Sequence, residues 1–128
     1  MRKELPIITP DKFHDECAVF GIYGHEEAAN LTYLGLYALQ HRGQEASGIV
    51  SGDGEQFPVQ KGLGLVADIY NKTSLSKLPG HMAIGHVRYS TYGSTIIENA
   101  QPLVVNNHRG GLAVAHNGNL INAGRVRH

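Results

Sequence analysis

Sixteen glycines divide this 128-residue chain into short apolar runs. Glycine adopts backbone conformations that other residues avoid, so it is common in tight turns. Runs of this length, separated by turns, favour many strands joined by short loops. The sequence Gly52-Asp53-Gly54 in particular predicts a β-hairpin, because this composition suits the turn between two paired strands.

Bulk composition excludes several classes of protein. The hydrophobic fraction of 41% and the charged fraction of 17% are those of a soluble globular protein. Eleven basic and eleven acidic residues give a formal net charge of zero, so the chain has no net positive charge that would favour binding to nucleic acid or an anionic membrane. No apolar run approaches the roughly 20 residues that span a bilayer, and Pro6 and Pro10 interrupt the start. We therefore expect a cytoplasmic protein.

The first two predicted elements are a strand and a helix. The apolar run Cys17–Tyr23 predicts a strand that is buried on both faces, with another backbone close to Gly21. A helical pattern follows over residues 25–40. The residues expected to form its apolar face are Leu31, Leu34 and Leu39.

The remainder of the chain reads mainly as strands. Strands are expected at residues 46–51, 57–60, 82–89, 103–105 and 112–116, with a short helix within 65–78 and another helix starting near Leu120. This arrangement predicts a layered α+β fold. Residues 1–16 read as a polar leader. A domain rarely ends on a newly started helix, so we expect this one to continue past residue 128.

Cys17 is the only cysteine, which excludes a disulfide or a Cys-based metal site within this chain. A cysteine attacks as its thiolate, whose ordinary pKa is about 8.5, and so needs a nearby base. A free α-amino group, with a pKa of about 7.7–8.0, suits that role. Cleavage between Glu16 and Cys17 would place nucleophile and base on one residue. The alternative is that Cys17 simply opens a buried strand.

The segment around Arg88 is a second candidate for chemistry. An arginine at a strand end can hold a carboxylate through two parallel hydrogen bonds, as an amino-acid substrate requires. Tyr89, Ser90 and Thr91 add hydroxyl groups directly after it. The alternative is a solvated surface arginine.

Asn117 and Gly118 form a third candidate. The Asn side chain and the Gly backbone N–H can both donate to one developing oxyanion, which is the main electrostatic need of acyl transfer. The alternative is an ordinary Asn-Gly hairpin turn.

Eight histidines raise the question of a metal site. None pairs with another at the spacing H-x-x-x-H, and no carboxylate lies at ligand spacing beside two of them. We predict no metal site, and expect His41, His86 and His116 to form local hydrogen bonds or pack in the core.

Four segments in order resemble the class II glutamine amidotransferases. They are Cys17 to Gly24, Leu39 to Ile49, Ile84 to Thr91 and Ala115 to Leu120. The sequence His41-Arg-Gly-Gln-Glu45 favours the amidophosphoribosyltransferase family over other members. The implied fold is the four-layer αββα sandwich of N-terminal-nucleophile hydrolases, incomplete in this chain. Residues 1–16 would then be a propeptide and 17–128 a partial glutaminase domain, lacking the family's later substrate-binding aspartate.

The resemblance also implies roles for individual residues. Cys17 would attack the side-chain amide of glutamine and form a thioester, with its freed α-amino group as base. Asn117 and Gly118 would form the oxyanion hole. The residues that would bind glutamine or shape its pocket are Arg42, Gly43, Arg88, Tyr89 and Thr91.

The implied enzyme is a glutamine amidotransferase of the glycosyltransferase class. It passes ammonia to phosphoribosylpyrophosphate and makes phosphoribosylamine in purine biosynthesis. No cofactor is expected in this chain, whereas the full-length enzyme would use Mg²⁺ and, in some members, a 4Fe–4S cluster. Its partners would be glutamine, a phosphoribosyltransferase domain and further copies of itself. The alternatives are a non-catalytic interaction module of the same fold, and a glutaminase serving a sugar phosphate or an aspartyl intermediate.

Overall fold

The computed structural model describes residues 17–40, 44–89 and 97–116. The strands are β1 Cys17–Tyr23, β2 Gln44–Gly52, β3 Val59–Leu63, β4 Met82–Tyr89, β5 Leu103–Asn107 and β6 Gly110–Val114. The helices are α1 Ala28–Leu39, α2 Val66–Ile69 and α3 Lys72–Ser76, with a 3₁₀ turn at Ile97–Asn99. The predicted mixture of antiparallel strands and helices is confirmed.

The larger sheet has the strand order β1-β4-β2-β3, and each neighbouring pair is antiparallel. The hairpin predicted at Gly52-Asp53-Gly54 joins β2 to β3. Its loop reaches to residue 58, because the Asp53 side chain accepts hydrogen bonds from the N–H groups of Glu55 and Gln56. Strand β4 lies inside the sheet and so contacts both β1 and β2.

Helix α1 packs on one face of this sheet through small residues. Its buried residues are Ala28, Ala29, Thr32 and Leu36. A Cβ at Gly85 would lie 2.6 Å from a methyl carbon of Thr32, so the missing side chain lets the helix approach β4 closely. The predicted face was wrong, because Leu34 is 57% exposed and Leu39 is 38% exposed. The helix also begins at Ala28, later than predicted.

Strand β1 has the predicted bounds but not the predicted burial. Ala18, Phe20 and Ile22 pack against the core under α1. The alternate residues face the other side of the sheet, where Val19 and Tyr23 are exposed. Gly21 has no unusually close backbone neighbour, since a Cβ there would lie 3.8 Å from the nearest such atom, the oxygen of Ala83. Both expectations about β1 were therefore wrong.

Strands β5 and β6 form a second, two-stranded sheet over the face opposite α1. The main chain at Gln101 contacts Gly48 of β2, and Gly111 of β6 lies beside Phe57. A cavity of about 480 Å³, lined largely by apolar residues, lies between the layers near Val50, Ile84 and Leu112. The described chain is thus a helix–sheet–sheet arrangement.

Some element bounds differ from those predicted. Strand β3 begins at Val59 rather than at residue 57, and β6 covers 110–114 rather than 112–116. The single helix expected within 65–78 is two short ones. The first ends at Ile69, followed by Tyr70 in an extended conformation, and Asn71 caps the second by accepting from the Ser74 N–H at 2.8 Å. The helix expected near Leu120 lies outside the described residues. None of the described helices has the length and apolar character needed to cross a membrane.

Candidate active site

Cys17 and Arg88 lie opposite each other at one end of the sheet. They are register partners in the antiparallel pair of β1 and β4. Directly opposed residues direct their side chains to the same face. That face is the one turned away from α1, because the alternate residues of both strands, Ala18 and Val87, belong to the core beneath the helix. The candidate nucleophile and the candidate carboxylate-binding group are therefore neighbours.

The opposite side of Arg88 is bounded by strand β2. Ala46 pairs with Arg88 and is completely buried. The register shifts between Gln44 and Ala46. A β-bulge of this kind bends the strand locally, and bulges are common beside active sites because they redirect side chains.

His86 connects this face to the segment that ends at His116. Its side chain lies two residues before Arg88 on β4, on the same face and roughly 7 Å along the strand. The ring is completely buried, and its Nε2 lies 3.1 Å from the main-chain oxygen of His116. His116 immediately precedes Asn117 in the chain, so the residue before the predicted oxyanion-hole segment is held by His86.

The other backbone group of His116 is also held. Its N–H donates to Oε1 of Gln101 at 2.7 Å. The main chain at Gln101 rests on Gly48, where a side chain would overlap its carbonyl group. Gly48 is in turn the register partner of His86. The N–H and the carbonyl of residue 116 are thus fixed from two directions by the same part of the sheet.

Burial keeps His86 neutral. The pKa of the imidazole is lowered to about 4, chiefly by burial and in part by the nearby His116 and Arg88 side chains, while the hydrogen bond to the His116 backbone acts in the opposite direction. A carbonyl oxygen can only accept, so the neutral ring must carry its proton on Nε2. Among the described residues, the other ring nitrogen, Nδ1, has no hydrogen-bond partner.

A buried pair of hydroxyls supports the main chain of His86 from the α1 side. The Ser47 hydroxyl donates to the His86 oxygen at 2.9 Å. It lies 2.9 Å from the Tyr70 hydroxyl, which must be the donor there because serine has only one proton to give. Burial raises the pKa of Tyr70, so this phenol stays protonated.

Tyr89 points to the opposite face from Arg88. Its hydroxyl donates to the main-chain oxygen of Leu39 at 3.3 Å and so connects the end of α1 to β4. Arg42 and Gly43 follow shortly after this contact in the chain. The predicted binding of substrate by Tyr89 stays a prediction.

The structure thus brings two of the predicted site residues together, Cys17 and Arg88. The predicted residues that lie outside the described part of the chain are Glu16, Arg42, Gly43, Thr91, Asn117 and Gly118.

Residues outside the predicted site also organise this region. His86 was expected to bond locally or pack in the core; it is buried, but its partner is thirty residues away. His116 was expected to bond locally or pack in the core; its side chain is exposed, and its backbone is held by residues 15 and 30 positions away. His41 lies outside the described residues. No sequence motif indicated a role for Gln101. The only indication of a role for His116 was its position next to Asn117.

Metal-ligating side chains are not grouped together in the part of the chain that the structure describes. Within residues 17–40, 44–89 and 97–116, no three side chains of His, Cys, Asp or Glu are grouped as a metal site would need. A 4Fe–4S cluster requires four cysteine ligands, and this chain has one cysteine. The chain therefore does not itself supply the ligand set for that cluster.

Comparison with curated proteins finds extensive sequence similarity. The chain is 55% identical over 118 residues to amidophosphoribosyltransferase of Rhizobium etli, covering 91% of this chain and 24% of the relative. It is 53% identical over 115 residues to amidophosphoribosyltransferase of Bacillus subtilis, covering 89% of this chain and 24% of the relative. The chain thus spans about a quarter of the length of these relatives. No protein-family model matches it.

Solved structures agree with the sequence comparison. One, described as the allosteric regulatory enzyme of purine biosynthesis, matches with a TM-score of 0.80 at 54% identity, over 85% of this chain and 24% of its own. Another is glutamine phosphoribosylpyrophosphate amidotransferase from B. subtilis in complex with ADP and GMP, with a TM-score of 0.76, 53% identity, and coverage of 85% of this chain and 23% of its own. The chain is therefore similar, over about nine-tenths of its length, to the N-terminal part of amidophosphoribosyltransferases, and its fold corresponds to part of their N-terminal-nucleophile hydrolase domain.

Proposed function

We propose that this chain carries the glutamine-hydrolysing site of an amidophosphoribosyltransferase, with Cys17 as the nucleophile. The observation that carries the proposal is the pairing of Cys17 with Arg88 on one face, where His86 also binds the backbone of His116, the residue before Asn117. A nucleophile, a carboxylate-binding cation and oxyanion donors are the parts that acyl transfer from an amino-acid amide needs.

The first half of the reaction forms a thioester. Removal of residues 1–16 frees the α-amino group of Cys17, which takes the thiol proton as Sγ attacks the side-chain carbonyl carbon of glutamine. Asn117 and Gly118 donate hydrogen bonds to the resulting oxyanion. The tetrahedral intermediate then collapses, the carbon–nitrogen bond breaks, and the α-ammonium gives its proton to the departing nitrogen, which leaves as ammonia.

The second half releases glutamate. Water attacks the thioester carbonyl, the α-amino group accepts its proton, and the carbon–sulfur bond breaks to restore the Cys17 thiol. Throughout both steps Arg88 holds the α-carboxylate of the substrate, and Arg42, Gly43 and Thr91 complete the pocket. The Tyr89 side chain lies on the opposite face of β4, where it contacts the end of α1. Holding that distant carboxylate keeps the amide carbon aligned with Sγ.

Ammonia then attacks the anomeric carbon of phosphoribosylpyrophosphate and displaces pyrophosphate, giving phosphoribosylamine for purine biosynthesis. The names of the relatives support this acceptor over a sugar phosphate or an aspartyl intermediate. This step belongs to a phosphoribosyltransferase domain in the full-length protein. Mg²⁺, an iron–sulfur cluster, self-association and a cytoplasmic location stay predictions of the same proposal. No observation favours the alternative of a non-catalytic interaction module.

The proposal is tested by replacing the nucleophile in the full-length enzyme. We expect Cys17→Ala to lower glutamine-dependent phosphoribosylamine synthesis by at least about 1000-fold, because no other described residue supplies a thiol. Synthesis from added ammonium should continue, since it bypasses glutamine. A Cys17→Ala enzyme with normal glutamine-dependent turnover would refute the proposal.

A further inference from the structure

The main chain immediately before the predicted oxyanion hole is held by a buried side chain that the reaction does not otherwise use. The His86 ring is completely buried, on a strand between β1 and β2. Such a position usually carries an apolar residue, because burying an imidazole costs free energy that its hydrogen bonds must offset. Here one ring nitrogen is satisfied only by a residue thirty positions away.

That single contact has a defined direction. The His116 oxygen can only accept, so Nε2–H donates and the ring is held as one tautomer. An asparagine or an apolar residue at position 86 could not reach in the same way, whereas the amide nitrogen of a glutamine side chain lies at about the distance of Nε2. Position 86 therefore requires a hydrogen-bond donor at the distance of Nε2 from the backbone. It does not require a titratable group.

The second contact completes the restraint. Gln101 accepts from the His116 N–H at 2.7 Å, and its own main chain is packed against Gly48. Because both backbone polar groups of this residue are held, the orientation of His116 is set by β4 and by the layer above it. The next two residues are Asn117 and Gly118.

We propose that His86, assisted by Gln101, is a positioning residue for the proposed reaction: it holds the backbone of His116, the residue that precedes the proposed oxyanion donors. The inference rests on the proposed function. Oxyanion donors act on charge that develops only in the transition state. A displacement of about 1 Å at such a group can cost on the order of 100-fold in rate. Loss of the restraint should consequently lower kcat and leave glutamine binding, which depends on Arg88, nearly unchanged.

The test compares two variants of the full-length enzyme in a glutaminase assay. His86→Leu removes the donor and keeps an apolar side chain of similar bulk. His86→Gln keeps a donor at the reach of Nε2. We expect His86→Leu to lower kcat roughly 10- to 100-fold with KM for glutamine within about twofold of wild type, and His86→Gln to recover most of the loss.

Gln101→Leu supplies an independent variant in case His86→Leu does not fold. Its side chain is only partly buried, so the fold should tolerate the change, and it removes the other restraint on His116. The same selective loss of kcat is expected, with Gln101→Glu as the control that keeps an acceptor oxygen.

Three outcomes would overturn the inference. They are a kcat within twofold of wild type in both Leu variants, a rise in KM with kcat unchanged, and equal losses in His86→Leu and His86→Gln. Failure of the proposed function is distinguishable, because it would appear as normal glutamine turnover in Cys17→Ala, whatever the His86 variants do.

Discussion

At the scale of single residues, the proposed site depends on two residues of β4, Arg88 and His86, that have different roles. Arg88 offers a planar cation beside Cys17, whereas His86 is neutral and supports the adjacent main chain. The two side chains lie on the same face of the sheet. We nevertheless expect substitution of Arg88 to change KM and substitution of His86 to change kcat. If the proposed function is correct, substitutions at these two positions should separate substrate binding from transition-state stabilisation.

Replacing Arg88 should weaken substrate binding. Arg88→Gln removes the charge that pairs with the α-carboxylate, and hydrogen bonds to charged groups contribute roughly 1.5–3 kcal/mol. We expect KM for glutamine to rise about 10- to 100-fold in steady-state glutaminase assays. Arg109→Gln is the matched control, because Arg109 is exposed in the turn between β5 and β6. Equal KM values for Arg88→Gln and wild type would contradict the assigned role.

His86 should also make stability depend on pH. Its pKa of about 4 in the folded protein lies below the ordinary 6.5, so the unfolded chain binds more protons between these values. Folding stability therefore falls as the pH drops through that window. The contribution lost between pH 7.5 and pH 5 is roughly 2 kcal/mol. In urea unfolding at the two pH values, the free energy of unfolding should fall by about 2 kcal/mol more in wild type than in His86→Gln. An equal fall in both proteins would argue against a neutral, buried imidazole.

At the scale of elements, two glycines of the larger sheet face the same layer but should tolerate substitution differently. Gly48 lies under the Gln101 main chain, and a methyl group there would overlap its carbonyl. Gly21 has ordinary space, with the nearest atom 3.5 Å from an added Cβ. The contact at Gly48 therefore fixes how closely the segment leading into β5 approaches β2.

Gly48→Ala should accordingly destabilise the fold by about 1–3 kcal/mol, the usual cost of overpacking. Gly21→Ala should change stability by less than about 0.5 kcal/mol, or slightly increase it, because glycine weakens a strand interior. Chemical denaturation of both variants checks this. Similar losses in the two variants would mean that Gly48 does not set the spacing of the layers.

The elements also show which structural features the sequence could predict. Strands β1 and β4 were predicted with correct ends because their apolar runs are bounded by turns and glycines. The buried face of α1 was mispredicted because leucine spacing pointed outward, while the true contact uses Ala28, Thr32 and the space left by Gly85. Close packing through small residues leaves no strong periodic signal.

At the scale of the whole molecule, segments distant in sequence meet at one end of β4. Cys17 comes from β1, the bulge at Gln44 from β2, and His116 from the end of the second sheet. The family resemblance predicted Cys17 and Arg88 as site residues, because both lie within its sequence motifs. The anchoring of His116 could not be predicted, because it depends on contacts between residues 15 and 30 positions apart.

The nucleophile itself can be tested most directly by intact-mass spectrometry, before and after incubation of the full-length protein with a diazoketone analogue of glutamine. The predicted result is a chain that begins at Cys17, having lost residues 1–16, and that gains the mass of one analogue after loss of nitrogen, with the adduct mapped to Cys17. A folded and processed protein that gains no adduct, or carries it on another residue, would contradict the assignment of Cys17 as the nucleophile.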